Sequence, residues 1–390
     1  MVGGQVIAGE FQDSVRAATR LHWPWRLIGL AFAAYVFATC FELVLWDAHR
    51  LPQAGTIGAE QAQFSAEPSA GPGFVRVREV SKGSPLDRAG VVAGDRLRFD
   101  PVFDYQRYRR VGETVHAVVD RAGHRSPVTL TAAPRAGAAD WEAVRLDLGN
   151  LIPAFFGAFI LWRGRGRLVA LLLGAALIAF GPTSTSAMMW EGESPSTFLV
   201  FSTFNRTCIV LVSVFLLAFA MRFVEERVGG VGRRQWIALA VYGAVNLVIL
   251  VVWSACAFTV TSLPLVGDAT GVLSIVGYLG FAASLVYLLI GWRRSAKAER
   301  ERFALFLVGA ATLIIAQAIS FVVFLGFNQL FKASNPLLLV AELLSGVVAP
   351  LLLTHAILRH RVLDLGFILN RTLVYGAVSA ILVIAFGLIE

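Results

Sequence analysis

The sequence predicts a polytopic α-helical membrane protein with a small α/β domain inserted after its first membrane span. Three observations support this fold class. Of the 390 residues, 57% are hydrophobic and only 15% are charged, whereas about a quarter of the residues of a soluble protein are charged. Nine apolar segments approach the length of a membrane-spanning helix. The polar residues 47–146 separate the first two of these segments.

The nine apolar segments have about the length that a membrane crossing requires, since a helix needs roughly 20 residues to cross a bilayer. The first, which follows residues 1–25, is predicted to be a signal anchor, because its apolar run is long and no convincing cleavage site follows it. Nine spans would place the two ends of the chain on opposite sides of the membrane. The segments are 26–46, 147–163, 168–190, 198–221, 235–260, 270–292, 303–326, 336–358 and 372–389.

The positions of the basic residues predict the orientation of these segments. Eighteen arginines and lysines lie before the first span or in alternate loops, whereas the other short loops contain only Lys332. By the positive-inside rule, the N-terminus is cytoplasmic and residues 47–146 are extracytoplasmic. The net charge of +8 is then explained by the basic residues that orient the spans, and nucleic acid is not an expected partner. The eighteen are Arg16, Arg20, Arg26, Arg163, Arg165, Arg167, Arg222, Arg227, Arg233, Arg234, Arg293, Arg294, Lys297, Arg300, Arg302, Arg359, Arg361 and Arg371.

The polar insert has the pattern of a compact domain between two linkers, 47–69 and 134–146. "FVRVREV" and "DRLRF" are typical of strands, and "GSPLDRAG" between them predicts a short helix with Ser84 as its N-cap and Pro85 in its first turn. A second short helix is predicted at 103–110. Residues 113–132 are predicted to form a hairpin that turns at Ala122 and Gly123.

This order of elements, with "GSPLDRAGVVAGD" between two strands, resembles a bacterial PDZ domain over residues 70–133. The resemblance implies that an extended peptide adds to the edge of strand 74–80, beside helix 103–110, with its carboxylate in a glycine-rich loop. Pro72 departs from the pattern because it has no amide hydrogen to donate, so a spacer that binds nothing is the alternative. The implied peptide-binding residues are Gly71, Gly73, Phe74, Val75, Arg107 and Arg110.

The C-terminal stretch "ILRHRVLDLGFILNRTLVYGAVSAILVIAFGLIE" carries a second resemblance, through Arg361, Asp364, Asn370, Arg371, Tyr375 and Gly376. Together with the layout of the chain, it resembles the membrane region of bacterial multi-pass sensor histidine kinases of the competence and quorum-sensing type. The resemblance implies a sensor bundle over residues 147–389 that continues into a cytoplasmic ATP-binding region. The 390 residues contain no nucleotide-binding motif and no phospho-accepting histidine in a helical charge pattern, so we predict no enzymatic activity for them.

We therefore expect an inner-membrane receptor region that responds to a peptide or a hydrophobic signal molecule. The lipid bilayer is an expected partner, and a homodimer is a further expectation. A regulator of a membrane protease and a transporter are the alternatives, the latter because Pro153, Pro182 and Pro350 interrupt predicted spans. The six histidines and three cysteines show no metal-ligand spacing, so no metal or cofactor is expected.

Two ionisable residues, Arg206 and Glu342, lie within otherwise apolar segments. A charge inside a membrane costs at least about 2.5–3.5 kcal/mol, so a partner is expected. Counted from the extracytoplasmic ends of their segments, Arg206 is about 14 Å deep and Glu342 about 9 Å deep. We predict that they pair and hold segments 198–221 and 336–358 together. Glu42 is a shallower competitor, and an Arg206 side chain that reaches the interface alone is the other alternative.

Overall fold

The computed structural model describes residues 24–41, 44–45, 54–59, 64–66, 73–100, 109–134, 141–163, 168–183, 195–259, 263–325, 340–341 and 343–359. The described part of the chain is mostly helical, with one small sheet region between the first helix and the later ones. This confirms the predicted fold class in its coarse form. Residues 360–390, which include the ninth predicted span and the six residues that carry the second resemblance, lie outside the described residues.

Four described helices are long and apolar enough to cross a membrane. They are α1 (Pro24–Phe41), α5 (Pro195–Arg227), α6 (Arg233–Thr259) and α7 (Leu263–Arg294). Four more predicted spans contain shorter apolar helical stretches. They lie in α3 (Trp141–Arg163), in α4 (Leu168–Phe180), in α8 (Lys297–Leu325), and in the π-helical turn Leu343–Val348 with the following α9 (Ala349–Arg359). Nine complete crossings therefore stay a prediction.

Helices α3 and α4 differ in length from their predicted segments. Helix α4 has 13 residues, or about 20 Å, because Pro182 and its neighbours form a 3-10 turn, Gly181–Thr183. Helix α3 begins at Trp141, so residues predicted as linker are helical. Pro153 lies inside α3 without ending it, since neighbouring helices can satisfy the backbone groups that a proline leaves free.

Helices α3 and α4 approach each other through two glycines. A Cβ atom on Gly157 would lie 2.5 Å from the carbonyl oxygen of Gly174, and a Cβ atom on Gly174 would lie 2.9 Å from that of Gly157. Small residues at such crossings let two backbones touch, which is how helices in a membrane gain van der Waals contact. These glycines therefore determine how closely α3 and α4 pack.

An aromatic cluster joins α5 to α8. Phe219 and Phe223 on α5 pack against Phe303 and Phe306 on α8, and all four are fully buried. The ring centroids of Phe223 and Phe306 are 4.7 Å apart, and those of Phe223 and Phe303 are 4.9 Å apart. Helix α7 joins the cluster at Gly291, where a Cβ atom would lie 2.5 Å from Cε1 of Phe303. Helices α5, α7 and α8 thus share one hydrophobic core.

The sheet region is a five-stranded antiparallel sheet with a two-stranded ribbon at its ends. The strands are β1 (Gly55–Thr56), β2 (Phe64–Ala66), β3 (Phe74–Val77), β4 (Arg96–Asp100), β5 (Thr114–Arg121), β6 (His124–Thr131) and β7 (Ala133–Pro134). The sheet order is β2-β3-β4-β5-β6, and β1 pairs with β7. The ribbon brings the two chain ends of the region together, as an insertion between helices requires.

The predicted helix cap and hairpin of the sheet region are confirmed, whereas the predicted strand 74–80 is shorter and ends at Val77. Helix α2 (Pro85–Arg88) begins after Ser84, whose Oγ accepts a hydrogen bond from the Asp87 amide at 3.2 Å. Strands β5 and β6 form the predicted hairpin, and Ala122 and Gly123 turn it with φ angles of 52° and 89°. Two positive φ angles in a row suit the right-handed twist of a hairpin.

Two predictions for this region need correction. The predicted linker 47–69 contains β1 and β2, so the sheet begins at Gly55. The predicted second helix lies outside the described residues, except for its last two positions. There the carbonyl of Arg109 accepts a hydrogen bond from the Gly55 amide at 2.6 Å, in an isolated bridge, so the helix does not extend to residue 110.

Candidate functional site

The predicted peptide-binding edge of strand β3 is already occupied. Strand β2 pairs with one side of β3, with Phe64 opposite Val77, and β4 pairs with the other side, with Arg98 opposite Phe74. Since both edges of β3 are paired, a peptide cannot add to it. This part of the prediction is wrong, because the sheet contains one more strand than the sequence pattern indicated.

Those of the other predicted binding residues that the structure describes lie in the core or in turns. Gly71 and Arg107 lie outside the described residues. Gly73 has a φ of 81° and forms the turn before β3. Phe74 and Val75 are 4% and 1% exposed, so both belong to the core. The backbone amide of Arg110 donates to Oε2 of Glu113 at 2.9 Å, which closes a turn.

Two buried carboxylates, those of Asp95 and Asp120, each pair with an arginine of the sheet region. Asp95, 4% exposed, accepts hydrogen bonds from Arg121 at 2.5 and 2.8 Å and from the Val92 amide at 2.9 Å. The Arg121 guanidinium, with help from the Val92 amide, lowers the pKa of the Asp95 carboxyl below its ordinary value. Arg121 also donates to the carbonyl of Gly90. It therefore ties the end of β5 to the turn that precedes β4.

Replacing Asp95 with asparagine is expected to loosen this turn more at neutral pH than in acid. A lowered pKa in the folded state means that the charged form contributes stability above the unfolded pKa of about 3.9, and that this stability is lost as the pH falls through the folded value. At pH 7 we expect a loss of about 2 kcal/mol. Hydrogen exchange of residues 91–100, compared with wild type at each pH, measures it.

Asp100 supplies the matched control for this experiment, because it lies on β4 and is exposed. Asp100→Asn should exchange like wild type at every pH. If Asp95→Asn loosened the turn equally at pH 7 and pH 3, the ion pair would not be the cause.

The sheet region and the helices share a hydrophobic contact at Trp253. This residue lies near the C-terminal end of α6 and is 4% exposed. It belongs to the hydrophobic cluster of the sheet region, whose other buried members, such as Val75, Leu97 and Phe99, all come from residues 57–130. The core of the sheet region is therefore completed by a side chain from a helix that is long and apolar enough to cross a membrane.

A cation lies next to this contact. The Cζ atom of Arg206, on α5, is 5.9 Å from the ring centroid of Trp253, within the range of a cation–π interaction. Asn205, one residue earlier, donates its Nδ2 hydrogen to the carbonyl of Pro182. The junction, which we define as Arg206, Trp253 and the sheet-region core around Trp253, thus joins α5, α6 and the sheet.

The predicted ion pair between Arg206 and Glu342 is untested, because Glu342 lies outside the described residues. Across the described part of the chain, Arg206 has no carboxylate partner, and its aromatic partner is Trp253. Helix α5 packs mainly against α4, α6 and α7, whereas α9 packs against α8 and α3. The described residues therefore place Arg206 toward the sheet region, and the pair stays a prediction.

Sequence reasoning identified Arg206 but missed Trp253. A tryptophan near the end of an apolar span is ordinarily an anchor at the membrane interface, and nothing in the surrounding sequence indicates contact with a separate domain. Within the described residues, no group of histidine, cysteine, aspartate and glutamate side chains could hold a metal ion. No family model, curated protein or solved structure matches this chain.

Proposed function

We propose that this chain is the receptor region of a signal-transducing membrane protein, and that its sheet region reports to its helices through the junction. The observation that carries this proposal is the burial of Trp253 in the core of the sheet region. A spacer domain needs only its two covalent connections to the helices. A helix side chain that is buried in the core of the sheet region makes the position of α6 depend on the state of the sheet.

The energy of this contact suits a switch. Truncating a buried tryptophan to alanine costs about 3–5 kcal/mol, and the Arg206 contact adds up to about 2 kcal/mol when it is desolvated. Moving a two-state equilibrium from 1:99 to 99:1 requires about 5.5 kcal/mol. A ligand that made or broke the junction would therefore shift most of the population of the helices.

The proposal includes a topology. We place the N-terminus in the cytoplasm of a bacterial cell and the sheet region outside the inner membrane, with one span before the sheet region and eight after it. The basic residues favour this orientation, since arginines cluster between α5 and α6 and at the end of α7, at the helix ends opposite Trp253. The sheet region would then meet the signal before the helices do.

The proposal also includes a PDZ-like role for the sheet region, with a revised binding edge. Because β3 is paired on both sides, an added peptide strand would have to pair with β2 or β6, the two edges of the sheet. Strand β6 contains Pro127, which cannot donate a ladder hydrogen bond. We therefore assign peptide addition to the edge of β2 that pairs with no strand among the described residues.

Ligand binding to the whole chain in lipid nanodiscs tests the proposal. The probes are a library of peptides with free or amidated C-termini, and oleate. A probe that acts through the receptor should bind saturably and change hydrogen exchange both in the sheet region and in the C-terminal end of α6. In the Trp253→Ala variant, the probe should no longer change the hydrogen exchange of α6.

Trp162→Ala is the matched control, because the side chain of Trp162 is 63% exposed on α3. This variant should respond like wild type. Absence of any saturable probe, or an α6 response that persists in Trp253→Ala, would favour a spacer with no receptor role.

A further inference from the structure

Four exposed arginines meet at one end of the helices. Arg233 and Arg234 begin α6, and Arg293 and Arg294 end α7. The two helices pack against each other, and the loop that leads into α6 touches the end of α7. A Cβ atom on Gly230, in this loop, would lie 3.2 Å from Nη1 of Arg294. We call the four arginines the arginine corner.

No ion pair joins the arginine corner to a carboxylate in the part of the chain that the structure describes. Arg222, on the neighbouring helix α5, shows the contrast, because its guanidinium pairs with Glu225 at 2.8 Å and with Glu226 at 3.0 Å. None of the four corner arginines has such a pair among the described residues. Arg233 and Arg234 also stand in the first turn of α6, where the helix dipole disfavours positive charge.

Aromatic and apolar neighbours indicate the depth of the arginine corner. Trp236 and Trp292, each beside one of the arginine pairs, are half-buried, and tryptophan prefers the headgroup level of a membrane. Further along the helices, Ile237 on α6 and Val286 on α7 are 52% and 53% exposed, as expected of side chains that face lipid tails. The four guanidinium groups therefore lie where phospholipid headgroups would be.

We propose that the arginine corner binds the phosphate of an anionic phospholipid. Guanidinium groups match phosphate oxygens with paired hydrogen bonds, and the bound headgroup would relieve the repulsion among four uncompensated charges. Each basic residue near an anionic membrane surface contributes about fivefold to affinity. This proposal concerns one end of the helices only, and it holds whether or not the sheet region is a receptor.

The whole chain is reconstituted in nanodiscs of phosphatidylcholine, alone or mixed with phosphatidylglycerol. Native mass spectrometry counts the phosphatidylglycerol molecules that the protein retains, and thermal unfolding measures their effect. Wild type should retain phosphatidylglycerol and unfold several degrees higher in the mixed lipid. Changing all four corner arginines to glutamine should abolish both effects, and each double variant, R233Q/R234Q or R293Q/R294Q, should weaken retention by about 25-fold.

The control variant R78Q/K82Q/R88Q/R98Q removes the same charge from exposed positions in the sheet region and should behave like wild type. The double variants keep the test valid if the fourfold variant does not fold. Equal retention by the control and the corner variants would overturn the proposal. So would equal stabilisation by inorganic phosphate in pure phosphatidylcholine, because the corner would then take a small soluble anion instead of a lipid.

Discussion

Gly157→Val is expected to leave little folded protein in the membrane. The Cβ atom of any new side chain would lie 2.5 Å from the carbonyl oxygen of Gly174 and 2.8 Å from the backbone nitrogen of Ile178. Both are backbone atoms of α4, so no rotamer change can relieve the clash. Overpacking that side chains can absorb costs about 1–3 kcal/mol, and separating α3 from α4 should cost more.

Gly243→Val is the matched control, because Gly243 lies within α6 with no atom within 4 Å of its added Cβ position. Both substitutions replace a helical glycine with the same β-branched residue, so they differ only in what the side chain meets. Size-exclusion chromatography and thermal unfolding should show a wild-type profile for Gly243→Val and aggregated or absent protein for Gly157→Val. If the two variants unfolded at the same temperature, the two backbones could not be in contact.

The helices were predictable because apolar length is a strong signal in a membrane protein. The predicted segments 198–221 and 235–260 match α5 and α6 to within a few residues at most ends. The prediction was misleading at α4, because the predicted segment 168–190 includes Pro182, where the backbone leaves the α-helix. The hairpin was predictable for a different reason, namely that Ala122 and Gly123 separate two runs of strand-forming residues.

The candidate site was less predictable, because it depends on contacts between segments that are distant in sequence. Strands β1 and β2 contain two and three residues, too few for an alternating pattern. The sequence of β3 is the same whether its edge is open or paired. Because β2 was not predicted, a strand that is paired on both sides was interpreted as a binding edge. The role of Trp253 depends on the docking of the sheet region, which no local signal encodes.

Trp253→Ala is expected to separate the sheet region from the helices while both remain folded. Each part keeps its own core, since the aromatic cluster of α5 and α8 and the other buried residues of the sheet region are unchanged. The substitution removes the buried indole, worth about 3–5 kcal/mol, together with its cation–π interaction with Arg206. Hydrogen exchange should therefore rise in the sheet region and at the C-terminal end of α6, but not around Phe223 and Phe303.

Two further variants identify the cause of this separation. Trp162→Ala removes an equally large side chain from an exposed position and should change neither region. Arg206→Gln removes the cation but leaves the indole buried, so it should raise exchange at the junction by much less than Trp253→Ala. A Trp253→Ala protein whose sheet region exchanged like wild type would show that the junction does not hold the two parts together, and the sheet region would then be tethered only by its chain ends.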